Sequence, residues 1–120
     1  MYYCAMYSKE LLKGTIDMII LRLLSEHGRM YGYEICQKVK ELTGGKILLK
    51  DGSLYPALHK MLVDGTVTTE EVSIGKRVRK YYTLTQKGNE AKKEKVSQLM
   101  DFLKTIESIM FEPDSKPASA

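Results

Sequence analysis

The chain has 120 residues, of which 43% are hydrophobic, enough for one domain with its own core and no need of disulfides or metal. Its two cysteines, Cys4 and Cys36, have no second Cys or His at metal-ligand spacing, so they read as free thiols, and no cofactor is expected. The net charge is a modest +4, with no run of roughly 18 uncharged apolar residues and no basic leader with a cleavage site, which argues against a membrane protein and for the cytoplasm.

Ser8 can cap a first helix whose apolar residues Leu11, Leu12, Ile16, Ile19, Ile20, Leu23 and Leu24 recur at helical spacing up to His27-Gly28. This helix is apolar on more than one face, as suits an element packed both on its own core and on another subunit. The stretch before it, Met1 to Tyr7, either extends the helix or lies across a neighbour. Gly32 opens a second periodic segment with Tyr33, Ile35, Cys36, Val39 and Leu42, closed by Gly44-Gly45. Ile47-Leu48-Leu49 then makes a brief apolar bridge suited to a single extended pairing.

The third helix is placed by Pro56, because a proline fits best among the first amides, which have no partner inside the helix. With Ser53 as N-cap, Pro56 is the third helical residue. Leu54, Leu58, Met61 and Leu62 form the buried stripe, while Tyr55, His59 and Lys60 fall on or near the other side. Asp64-Gly65 ends it. Two strands are predicted at Val67 to Val72 and Val78 to Leu84, separated by Ser73 to Arg77 with the glycine that a hairpin loop needs. Val78, Lys80, Tyr82 and Leu84 share one face of the second strand, and Arg79, Tyr81 and Thr83 the other.

A last helix is predicted from the Thr85-Gln86-Lys87-Gly88 turn to about Phe111. Val96, Leu99, Leu103, Ile106 and Met110 follow the spacing of a coiled-coil seam, widened by Met100 and Ile109. At ~1.5 Å per residue such a helix outreaches so small a domain, and its seam needs a partner. Residues 113–120 have the composition of a disordered tail. The expected division is therefore a domain over 8–85, a dimerisation helix over 86–112 and the tail.

Charge is concentrated. From Lys76 to Lys95 there are eight Lys or Arg against Glu90 and Glu94, whereas the segment after it is net negative. The order helix, helix, helix, hairpin is that of a winged helix-turn-helix, an α+β and mainly α fold whose third helix enters the major groove. Ser53, Tyr55, His59 and Lys60 offer hydrogen-bonding groups from that helix. Lys76, Arg77 and Arg79 crowd the hairpin, where phosphate contact is the natural use of unpaired cations. Basic loop tips are often only solvated charge, and it is the combination with a three-helix core and an early proline that points to double-stranded DNA. Catalysis finds no support, since Ser53 and His59 face different sides of their helix, no carboxylate completes a triad and no glycine-rich phosphate loop occurs.

Leu12-Lys13-Gly14, Tyr31-Gly32-Tyr33-Glu34-Ile35, Gly52-Ser53-Leu54-Tyr55-Pro56-Ala57-Leu58 and Arg79 to Gly88 together resemble the PadR family of bacterial transcriptional regulators, over roughly residues 10–110. The single helix after the hairpin places the chain with the short members. The resemblance implies a dimeric repressor on a near-palindromic operator, with Ser53, Tyr55 and Pro56 at the start of the recognition helix and Lys76, Arg77 and Arg79 on the wing. Tyr31 and Tyr33 match a turn where family members meet phosphates, although core packing is the expected role of Tyr33. Ile16 and Ile20 of the first helix join Val96, Leu99, Leu103, Ile106 and Met110 as the expected dimer interface.

Some members bind flat aromatic drugs between subunits through a tryptophan of the last helix. This chain has none; a tyrosine or Phe102 could take its place, with Met6, Met100 and Leu103 lining an adaptable cavity, although Met and Leu at helical spacing more often simply form an interface. A small aromatic effector is thus one expectation, and a winged helix that binds only protein is the competing class.

Overall fold

The computed structural model describes residues 7–111; Cys4, Met6 and the expected tail at 113–120 lie outside them. The first predicted helix is divided. Ser8 does cap it, its Oγ accepting from the Leu11 amide at 3.3 Å, but α1 spans only Lys9–Leu12. Gly14 then takes the left-handed φ of +89°, and both the amide and the hydroxyl of Thr15 donate to the Leu12 carbonyl, at 3.0 and 2.8 Å. Helix α2 restarts at Ile16–His27 and buries Met18, Ile20, Leu21, Leu23 and Leu24.

A strand follows that periodicity does not announce, β1 at Met30–Tyr31, leading straight into α3 at Gly32–Leu42. The Tyr31 amide donates to the Glu34 carboxylate at 3.1 Å, which ties the start of α3. The Ile47-Leu48-Leu49 bridge forms no strand. It contributes side chains instead, with Leu49 in the core and Ile47 packed against it.

Helix α4 spans Asp51–Asp64, so its N-cap is Lys50 and not Ser53. The extended Lys50 backbone turns its carbonyl to accept from both the Ser53 and Leu54 amides, at 2.9 and 2.8 Å. Pro56 is thus the sixth helical residue. The Gly52 carbonyl that it leaves without a helical donor belongs to an exposed residue, open to water. The expected stripe holds, with Leu54, Leu58 and Met61 buried.

Strands β2, Val67–Ile74, and β3, Arg77–Leu84, are longer than predicted because the loop is only Gly75-Lys76, with Gly75 at φ +63°. The antiparallel sheet has the order β1-β3-β2, with Met30 and Thr69 flanking Tyr82 and with Tyr31 and Glu70 flanking Tyr81. Its inner face presents Met30, Val67 and Tyr82 to the helices.

Helix α5 covers Gln86–Met110, with the Thr85 hydroxyl accepting from the Gly88 amide at 2.9 Å. Its first half lies on α2, tied by Lys92 to Ser25 at 2.9 Å and by Lys95 to Asp17 at 3.3 Å. Beyond Leu99 it projects, leaving Met100, Phe102, Leu103, Ile109 and Met110 exposed, and the molecule is 69 Å long but 21 Å thin. The short α1, then α2, α3 and α4, followed by a hairpin and a long terminal helix, make a mainly helical winged helix-turn-helix fold. Ile20, expected at a subunit interface, is fully buried in the core of its own protomer and has no surface to offer a partner.

Candidate nucleic-acid interface

The outer side of α4 carries Tyr55 and His59 one helical turn apart, both exposed, with Ser53 half-buried before them. Pro56 and Lys60 point further around the helix. Together with Ala57 they line a groove of about 600 Å³ against Ile16, Leu21 and Lys95, and Lys60 reaches along its own helix to Asp64 at 3.3 Å.

Tyr55 does more than face solvent. Its hydroxyl end lies on Gly32, the first residue of α3, so closely that a Cβ there would overlap the Tyr55 Oη and stand 2.9 Å from its Cζ. Burial, then Asp51 and Cys36, push the Tyr55 hydroxyl above the ordinary tyrosine range, so it remains a hydrogen-bond donor at neutral and mildly alkaline pH. Burial, then Asp51, likewise raises the Cys36 thiol, which keeps it protonated and unreactive at neutral pH.

Gly32 is flanked by the two tyrosines that meet the hairpin. The Tyr31 and Tyr33 rings are stacked with centroids 6.4 Å apart, and Tyr31 and Tyr81 meet edge to face with centroids 5.3 Å apart. The Arg79 guanidinium sits 4.3 Å over the Tyr31 ring, and Arg29 sits 4.6 Å over Tyr81 while pairing with Glu70 at 3.2 Å. A hydrogen bond with Tyr81 raises the already high pKa of Arg79, which is a permanent cation. Between these groups lies an open cleft of about 620 Å³ lined by Tyr31, Tyr33, Arg77, Val78 and Arg79. Lys76 stands exposed at the hairpin tip.

Tyr33 is therefore not the core residue that its apolar neighbours suggested. It is 64% exposed, because Gly32, Ile35 and Val39 take the buried stripe of α3 and leave the second helical position outside. Tyr81 and Arg29 carry no signal of their own in the sequence. The alternation along β3 already sets Tyr81 on the face of Arg79, but only the β1 pairing brings Tyr31 and Arg29 beside them.

The residues considered for a ligand do not converge. Met6 lies outside the described residues, Met100 is exposed, and Phe102 joins Met18 and Leu99 around a shallow groove of about 240 Å³ between α2 and α5. Among the described residues no three of His, Cys, Asp and Glu gather as a metal site requires, and no helix is long and apolar enough to cross a membrane.

Comparison with known proteins places this arrangement. The model of the transcriptional regulator PadR-like family matches residues 20–94. A curated relative from Lysinibacillus sphaericus, itself named only as an uncharacterized protein, is 31% identical over 107 residues, covering 88% of this chain and 96% of its own. The solved structure of a transcriptional regulator from Clostridium thermocellum superposes with a TM-score of 0.78 at 29% identity, over 83% of this chain and 97% of that one. A PadR family transcription regulator from Clostridium difficile R20291 gives 0.67 at 30% identity, over 82% and 100%. With the profile spanning more than half of the sequence, from the core of α2 to the start of α5, the chain belongs to the PadR-like family of transcriptional regulators, which act by binding DNA rather than by catalysis.

Proposed function

We propose that two copies of this chain bind a near-palindromic operator and repress transcription from it in the cytoplasm. Helix α4 enters the major groove with Ser53, Tyr55, Pro56, His59 and Lys60, while Lys76, Arg77 and Arg79 of the hairpin and Tyr31 take backbone phosphates. The observation that carries this reading is the contact of Tyr55 with Gly32. It makes the outer side of α4 continuous with Tyr31 and Tyr33, where Arg79 lies over the Tyr31 ring and Arg77 lines the same cleft, so that one surface holds both hydrogen-bonding groups and fixed positive charge. Residues 8–85 act as the DNA-binding unit and 86–112 as the dimerisation helix, with Val96, Leu99, Leu103, Ile106 and Met110 in the seam and Ile16 at its edge. A planar aromatic effector would enter beside that seam, at Met18, Leu99 and Phe102.

Gel mobility of random duplex DNA at low salt tests the surface, and the lack of a shift at micromolar protein would favour a winged helix that binds only protein. Replacing Lys76, Arg77 and Arg79 by Ala should flatten the log-log salt dependence by about 0.9 for each phosphate that is no longer neutralised. An unchanged slope removes the hairpin from the interface.

Gly32→Ala tests the joint itself. The added methyl displaces the Tyr55 ring, and duplex binding should weaken by about tenfold, the worth of one well-placed base contact. The melting temperature should fall by about 5 °C, because the added methyl crowds the Tyr55 ring and stands 3.3 Å from Cδ2 of the fully buried Leu54. Equal affinity in the variant would separate Tyr55 from recognition.

A further inference from the structure

We infer that the cleft between the amino end of α3 and the hairpin is a binding site for a mononucleotide, its base stacked on Tyr33 and its phosphate held between Arg77 and Arg79. Two near-parallel aromatic rings and two guanidiniums converge on one opening of about 620 Å³, within the size range of small-ligand sites. The two halves of that lining call for different chemistry.

Duplex DNA uses only one of them. Its backbone offers phosphates to Arg77 and Arg79, but its bases are stacked on one another and present edges, so the exposed Tyr33 has no base face to stack on. A free nucleotide offers both a π-face and an anion. Arg79 can serve the phosphate without leaving its place over Tyr31, since its guanidinium carbon stands 4.3 Å from that ring's centroid and the group carries five N–H donors, of which the hydrogen bond with Tyr81 takes only a part. Of the nearby carboxylates, Glu70 is offset by its pairing with Arg29 at 3.2 Å, whereas Glu34, which accepts from the Tyr31 amide at 3.1 Å, keeps its negative charge and is outweighed by the two guanidiniums. The cleft admits about one nucleotide, and the lining has no further aromatic ring along which a strand could continue.

The site stands on this lining and not on the operator reading, although a nucleotide there and a duplex on the same arginines would exclude each other. The test uses the full chain without DNA, carrying carbon-13 in its tyrosines, titrated with adenosine 5′-monophosphate to about 5 mM, high enough to register millimolar binding. Adenosine and inorganic phosphate serve as half-ligands. The monophosphate should shift the Tyr31 and Tyr33 resonances and bind about tenfold more tightly than either half, with Tyr33→Ala and Arg77→Ala each costing about tenfold and Tyr33→Phe retaining most of the affinity. Phosphate binding as well as the nucleotide would reduce the cleft to an anion site and overturn the proposal. So would silence of both tyrosines, or a single-stranded thymidine oligomer that binds far more tightly than the mononucleotide.

Discussion

Leu99→Asp combined with Leu103→Asp should turn a dimer into a monomer and remove operator binding while leaving the protomer folded. In the protomer Leu103 is 48% exposed and Leu99 is partly exposed, so neither substitution opens a hole in the core. In the proposed dimer both lie in an apolar seam with Val96, Ile106 and Met110, where two carboxylates per subunit, facing two more across the axis, find no partner. The consequence for DNA exceeds that for assembly. Two linked half-sites bind about 10²- to 10⁴-fold more tightly than one through effective concentration alone, and a monomer forfeits that factor while keeping every residue that touches DNA. Sedimentation of the variant, far-ultraviolet circular dichroism and titration of a two-half-site duplex check the three parts separately. A dimer that persists at low micromolar concentration would refute the seam.

The second large effect is on stability. Gly88 is buried where α5 leaves the sheet, and a Cβ there would overlap the Thr66 carbonyl oxygen and come within 2.7 Å of Leu84 Cδ1. Thr66 cannot give way, because its amide and hydroxyl both donate to the Met61 carbonyl, at 3.0 and 3.2 Å, while its own carbonyl accepts from the Thr85 amide at 3.1 Å. Gly88→Ala is thus expected to cost about 3 kcal/mol, at the upper end for overpacking, and to lower the melting temperature by roughly 10 °C or more. Gly52→Ala is the control, an exposed helical glycine with nothing within 4 Å of the added carbon, and should be neutral or stabilising by up to about 1 kcal/mol. A Gly88→Ala protein that melts with the parent would mean that the junction relaxes at no cost.

Much of this is legible in the residue pattern. The stripe of α4, the hairpin and the extent of α5 follow from spacing, and so do Ile35 and Val39 of α3, whereas Tyr33 and Leu42, expected in the same stripe, are 64% and 65% exposed at the two ends of that helix. What escapes the pattern is decided by neighbours. Strand β1 has two residues, too few for any alternation, and exists because Met30 and Tyr31 pair with Tyr82 and Tyr81. The division between α1 and α2 rests on one glycine in a stretch that is otherwise continuously helical in character. The start of α4 lies before Ser53 because a backbone carbonyl at Lys50 meets the free amides before any side chain does. In the candidate site, alternation alone puts Arg79 and Tyr81 on one face. The meeting of Tyr55 with Gly32, and the exposure of Tyr33, belong to the packing of three elements and leave no trace in any one of them.

The clasp of α5 on α2 through Lys92 and Lys95 makes the terminal rod a stiff lever, since α2 in turn packs on α4. In a dimer joined through those rods, a change of about 5° in their crossing angle, carried over a helix of about 37 Å, moves its far end by about 3 Å. Two reading heads set for successive grooves would then fall out of phase with the duplex. In such a dimer, a change of geometry at the subunit contact would weaken binding without altering any group that meets a base.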